Sequence, residues 1–274
     1  MESFVYQSPT DQWPIQAYNW PVERARGSVV IAHGMAEHAL RYQRLIESLN
    51  AAGLSVLAMD HRAHGRTSGP AGLGDFGEAG WDALVADFDP LIERARSAGL
   101  PVILLAHSMG AAAAQQYVSD HGVKLAALVL SGTTLRNPGQ PIPDYNAAFA
   151  SRTGYEWLSR DPSEVDAYVN DPLCGFEGQT VINGMDRTDP RRLDPARLAR
   201  IPAGLPVLLI AGAADPVNDN LQGLRYLEQC WRAAGVQSID SLYYADGHHE
   251  MFNETNRDEV TRDLMAWIEA TIFS

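Results

Sequence analysis

The chain has 274 residues, 46% of them hydrophobic and 20% charged, which is enough for one large core or a core with a sizeable insertion and excludes a disordered protein. A formal net charge of −13 repels phosphate backbones and anionic lipid surfaces, so nucleic acid is not expected as a partner. Cys174 and Cys230 form no metal-spaced pair or disulfide framework, Met1–Val5 shows no basic leader, and no apolar run approaches the roughly 18 residues of a membrane span. A cytoplasmic protein without stable membrane insertion is expected, and nothing in the residues speaks to its oligomeric state.

In chain order, short apolar, β-branched runs predict strands at Phe4–Gln7, Ile15–Asn19, Ser28–Ala32, Ser55–Met59, Val102–Ala106, Leu125–Leu130, Val207–Ala211 and Ser241–Tyr244. The first two are expected to pair as an antiparallel hairpin at a sheet edge. Between the strands, apolar residues recur at helical spacing: Tyr42, Leu45, Ile46 and Leu49; Trp81, Leu84, Val85, Phe88, Leu91 and Ile92; and Val260, Leu264, Trp267 and Ile268. These aromatics read as core. Pro90 should kink or divide the second helix, because it lacks the N–H the helix needs. Strands alternating with helices imply crossover units and a mostly parallel, eight-stranded sheet, an α/β fold. The alternation fails over residues 133–205, rich in Pro, Gly, Asp and Arg, which is too long for a simple loop. We expect an inserted helical cap there, with residues 1–132 and 206–274 forming the core.

The run Val102–Leu105 leads straight into Ala106-His107-Ser108-Met109-Gly110 and then into the helix-forming stretch Ala111–Tyr117. A serine on a tight strand-to-helix turn presents its hydroxyl to a cleft, with the helix N-terminus beneath any developing negative charge. An ordinary helix N-cap is the plainer explanation of such a serine. A hydroxyl is a poor nucleophile unless a base removes its proton and a third group fixes that base. Both stand further along, each just past a strand. Gly212-Ala213-Ala214-Asp215-Pro216-Val217 follows one strand, and Asp246-Gly247-His248-His249-Glu250 follows the last. Asp215 alone would pass for a solvated turn aspartate; the order Ser, Asp, His is that of the α/β-hydrolase fold. His248 and His249 cannot both face the serine, and the residues alone leave the choice open.

After the strand Ser28–Ala32 comes His33-Gly34-Met35-Ala36-Glu37-His38, whose backbone can point at the same cleft. The N–H groups of Met35 and Met109 are the expected oxyanion donors. Asp60-His61-Arg62-Ala63-His64-Gly65 suggests a metal site at first sight, but as a polar loop without a second ligand group it reads as structural hydrogen bonding. No dinucleotide fingerprint or phosphate-binding loop is present, so neither a metal nor a cofactor is expected.

With these motifs in view, nearly the whole chain resembles the monoacylglycerol lipase and lysophospholipase branch of the α/β-hydrolases, the serine aminopeptidase-like group. The resemblance rests on His33–His38 with Arg41-Tyr42, on Asp60–Ser68, on the turn at Ser108 and on Gly247–Glu254. In that last motif the family's catalytic histidine directly precedes the glutamate, which implies His249. Within 133–205, Ser159-Arg160-Asp161-Pro162 and Tyr168–Leu173 are similar to bacterial lysophospholipase-like members. Alanine stands where the family has glycine at Ala36, Ala63 and Ala106, so a negative φ is expected at all three.

What these readings imply is ester hydrolysis through an acyl-enzyme, with a small-molecule ester as partner. Ile142, Phe149, Tyr155, Trp157 and Leu158 are the expected apolar lining of the substrate pocket. The segment is polar for a membrane-docking lid, which favours dispersed medium-chain esters and monoacylglycerols over bilayer lipids. The same three residues also serve thioester, amide or carbon–carbon cleavage and perhydrolysis, and a hydrolase-fold binding protein is the alternative outside enzymes.

Overall fold

Eight strands form one sheet in the order β1-β2-β4-β3-β5-β6-β7-β8. They are β1 (Glu2–Gln7), β2 (Pro14–Trp20), β3 (Gly27–Ala32), β4 (Leu54–Met59), β5 (Val102–His107), β6 (Ala127–Ser131), β7 (Val207–Gly212) and β8 (Ile239–Tyr244) in a computed structural model that describes residues 1–69, 72–136, 143–149, 152–176 and 190–274. β1 and β2 make the expected edge hairpin, β2 runs antiparallel to β4, and every other pairing is parallel. Each predicted strand is present, with ends shifted by no more than two residues.

β3, β5, β6 and β7 are buried along their whole length, because helices cover both faces of the sheet. Alternation then divides their side chains. Val30, Leu104, Leu128 and Leu209 face one core with α2 (Gly80–Ala86), α3 (Phe88–Arg96), α4 (Met109–His121) and α7 (Gln222–Ala233). Val29, Ile103, Val129 and Leu208 face the other with α1 (Gln43–Ala51) and α8 (Arg257–Ile272). The helix break falls at Asp87, three residues before Pro90, so the proline occupies the first turn of α3, where a missing N–H costs little. α7 was not among the expected helices, although Leu224, Leu227 and Trp231 space its buried stripe.

Between β6 and β7 lie α5 (Pro162–Asn170) and α6 (Pro195–Leu198), each opened by an aspartate that accepts a backbone N–H and a proline behind it. Leu135, Leu198, Ile201 and Leu205 pack into the main core, whereas Leu158, Tyr168 and Cys174 form a small cluster of their own. Among the described residues no helix is long and apolar enough to cross a membrane.

The expectation of negative φ fails at two of the three alanines. Ala36 has φ 55° and Ala63 φ 71°, while Ala106, inside β5, keeps a strand conformation. Each positive value is held by tertiary bonds. The Ala36 carbonyl accepts the Gly175 N–H at 3.0 Å, and Ala63 donates to the Thr67 carbonyl (3.0 Å) and accepts from the Gly74 N–H (2.8 Å). An L-residue in this region gives up about 1–2 kcal/mol, which the surrounding turn must outweigh.

Candidate active site

The carboxyl ends of β3, β5, β7 and β8 open on one side of the sheet, and the loops that follow them meet there. Ser108 directly follows β5 and precedes α4, with φ 51° and ψ −113°, a conformation that non-glycine residues avoid. Bonds on both sides hold the turn: the Ser108 N–H donates to the Ser131 carbonyl at 2.9 Å, and its carbonyl accepts the Ala112 N–H at 3.0 Å. Gly110 makes the turn possible, since a Cβ there would lie 2.5 Å from the carbonyl oxygens of both Ala32 and His33.

Past β7, Asp215 is fully buried. Its Oδ1 accepts the Val217 N–H at 2.8 Å and its Oδ2 the Asn218 side-chain amide at 3.2 Å. His249, past β8, sets Nδ1 2.9 Å from Asp215 Oδ2 and Nε2 2.8 Å from Ser108 Oγ. A carboxylate only accepts, so Nδ1 carries the hydrogen and Nε2 is left to accept the serine hydroxyl proton. Burial works against a charged His249, but the Asp215 carboxylate, helped by Glu250 and Glu37, outweighs it and raises the pKa above the ordinary value. The ring lies between His107 (centroids 4.7 Å apart) and Trp157 (5.1 Å). His107, pushed down to about 4 by burial and by the neighbouring His249, stays neutral there.

His248, the other candidate, turns away: its Nδ1 sits 2.8 Å from the Glu156 carbonyl oxygen, and its N–H donates to Glu254 at 3.0 Å. The backbone of the loop after β8 is tied to the segment after β6, with the His249 N–H donating to the Trp157 carbonyl (3.3 Å) and that of Glu250 to the Leu158 carbonyl (2.8 Å).

Met35 and Met109 line the same cavity as Ser108 and His249, and Met109 opens α4, so its N–H is one of the helix's unpaired first donors. The loop carrying Met35 is braced by Glu37. Its Oε1 accepts the Gly34 N–H at 2.5 Å and the Tyr42 hydroxyl at 2.9 Å. Burial favours a protonated Glu37, yet the Arg41 guanidinium and the surrounding donors hold its carboxyl well below the usual range.

The cavity is about 300 Å³. Tyr155, Trp157 and Leu158 line it as expected; Phe149 does not, its ring packing against His248 at 4.5 Å instead, and Ile142 lies outside the described residues. Tyr145, Tyr168, Phe176, Val217, Arg136 and Arg192 complete walls that the sequence reading missed. The Asp60–Gly65 loop is structural: Asp60 accepts from the Tyr18 hydroxyl (3.0 Å) and from the N–H groups of Ala39 (3.0 Å) and Arg66 (2.9 Å), and Arg62 pairs with Asp87 and Asp11. Donor atoms of His38, Asp171 and Cys174 lie within 4.8 Å of one another. His38 Nε2 is already 2.9 Å from Asp171 Oδ2, and burial pushes the Cys174 thiol up, so the trio is a protonated thiol beside a hydrogen-bonded His–Asp couple and a poor cation ligand.

The sequence model of the family described as serine aminopeptidase, S33, matches residues 23–256. A monoacylglycerol lipase of Mycolicibacterium smegmatis is 32% identical over 271 residues, covering 89% of this chain and 88% of that protein. The chain belongs to the serine aminopeptidase S33 family of α/β-hydrolases. The solved carboxyl esterase of Bacillus coagulans, in complex with glycerol, superimposes with a TM-score of 0.85 at 26% identity, covering 99% of this chain and 98% of the esterase. The monoacylglycerol lipase of Paleococcus ferrophilus gives a TM-score of 0.75 at 26% identity over 94% of this chain and 99% of its own. These lipase and esterase structures are thus similar to this chain over nearly its full length.

Proposed function

We propose that Ser108 is the nucleophile of a serine ester hydrolase, with His249 as its base, Asp215 as the group that orients and stabilises that base, and the Met35 and Met109 N–H groups as oxyanion donors. The ester-hydrolase class follows from the family and its lipase and esterase relatives. One observation carries the residue roles: His249 reaches Ser108 Oγ at 2.8 Å with one nitrogen and Asp215 at 2.9 Å with the other. Ser108 Oγ attacks the ester carbonyl carbon as its proton passes to His249 Nε2, and the negative charge moves to the carbonyl oxygen. Collapse breaks the ester bond, and the imidazolium returns that proton to the departing alcohol. Water then repeats the sequence against the acyl-enzyme, releasing the carboxylic acid and restoring Ser108.

Medium-chain esters and monoacylglycerols are the proposed substrates. The cavity lies at the lower end of the size range of small-molecule sites, and its Tyr155, Trp157 and Leu158 wall suits an acyl chain. The relatives named for monoacylglycerol agree with this choice. Residues 133–205 act in this reading as a cap over a core of 1–132 and 206–274, and Cys174 and Cys230, both free thiols, suit a cytoplasmic enzyme.

The test is fluorophosphonate labelling together with turnover of chromogenic esters of graded acyl length, run on the wild type and on Ser108→Ala. Labelling and turnover should both vanish in the variant. Near-wild-type turnover by Ser108→Ala would remove Ser108 from the mechanism, and a wild type that neither labels nor turns over would make the chain a binding protein.

A further inference from the structure

We propose that, beyond the neutral esters and monoacylglycerols named above, the site prefers an ester carrying an anionic group, a carboxylate or phosphate, which Arg136 receives inside the cavity; this rests on the ester-hydrolase reading of the site. Arg136 follows β6 and is only 4% exposed, yet it lines the cavity that holds Ser108 and His249. Of a guanidinium's five N–H donors, the structure pairs one, from Nη2 to the Val217 carbonyl at 2.9 Å. Among the described residues no carboxylate lies within ion-pair distance of it.

Other arginines withdrawn from solvent are built differently. Arg62, fully buried, holds the carboxylates of Asp11 and Asp87, and Arg41 those of Glu37 and Glu250. A charge taken out of water is tolerated when a counter-charge is supplied, and at Arg136 the described residues supply none. The acidic residues lining the same cavity, Glu37 and Glu250, are already engaged by Arg41. Asp219 lines a smaller cavity on the other side of Arg136 and forms no ion pair with it. With a chain charge of −13, a cation lining the same cavity as Ser108 is a local reversal of the field. A planar fork of donors in a cavity that Tyr155, Trp157 and Leu158 also line matches carboxylate or phosphate oxygens.

The anion can sit on the acyl or on the alcohol side of the ester, and two matched pairs separate these. One is the p-nitrophenyl ester of octanoate against the mono-p-nitrophenyl ester of octanedioate; the other is octanoylglycerol against octanoylglycerol phosphate. In the wild type kcat/KM should favour the charged member of at least one pair by roughly tenfold, and Arg136→Gln should lose that ratio while Arg136→Lys keeps part of it. Octanoate or glycerol phosphate should also inhibit the wild type at lower concentration than octanamide or glycerol, a readout that needs no variant. Preference for the neutral ester in both pairs, or a ratio unchanged in folded Arg136→Gln, overturns the inference while leaving ester hydrolysis intact. If none of the four esters turns over and fluorophosphonate leaves Ser108 unlabelled, the underlying reading fails as well.

Discussion

Arg41 grips Glu250 with two parallel bonds, Nη1 to Oε1 at 2.7 Å and Nη2 to Oε2 at 2.8 Å. The same guanidinium reaches Glu37 Oε2 at 2.6 Å, and the other oxygen of Glu37 holds the Gly34 N–H. One side chain therefore couples the loop that carries Met35 to the residue next to His249. Bidentate geometry fixes orientation as well as distance, so the two loops cannot slide independently.

Removing that cation should be costly. Arg41→Met leaves Glu37 and Glu250 buried without a counter-charge, and urea unfolding should show a loss of about 3–5 kcal/mol. If the folded variant lost no stability and kept full kcat, the coupling between the loops would have no role.

The pH dependence follows from His249. Only the neutral imidazole can accept the serine proton, and its pKa is raised above the ordinary 6.5. As pH falls through that raised value the base is lost, so the acid limb of kcat/KM should have its midpoint above 6.5. Asp215→Asn removes the carboxylate that raises it. The limb should then move to lower pH, and kcat should fall about 10⁴-fold, because an amide does not hold the required tautomer. A limb that stays in place would show that Asp215 does not set the basicity of His249.

Gly110→Ala tests the turn itself. With backbone oxygens 2.5 Å from the new Cβ, α4 must move off β3, and overpacking of this kind costs about 1–3 kcal/mol. Activity should fall further than stability explains, since Ser108 directly precedes the displaced α4; calorimetry beside turnover of a short ester separates the two effects.

Trp157→Ala keeps the backbone carbonyl that holds His249 but opens the aromatic wall. The loss in kcat/KM should be about tenfold larger for octanoate esters than for acetate esters. Equal losses would place the acyl chain elsewhere in the cavity.

Much of this arrangement was legible in the residues. Strands buried on both faces, such as β5 and β7, appear as unbroken apolar runs; Ser108 follows β5 directly, while Asp215 and His249 stand in the loops just past β7 and β8. What escaped depends on contacts distant in sequence. The φ of Ala36 is set by a bond from Gly175, and Phe149 packs on His248 instead of the acyl pocket. Arg136, Tyr168 and Phe176 become cavity walls only once the segment after β6 folds back over the sheet. α7 is a different case, since its Leu224, Leu227 and Trp231 stripe carries an ordinary local signal.

The backbone angles at Ser108 bear on how this protein responds to selection. A φ of 51° paired with a ψ of −113° suits glycine far better than serine, at an expense of order 1–3 kcal/mol for the side chain proposed as the nucleophile. Screening variant libraries for heat resistance alone would therefore enrich inert molecules with Gly at this position. Durability and turnover pull against each other at one residue, and a stabilised catalyst has to gain its margin elsewhere.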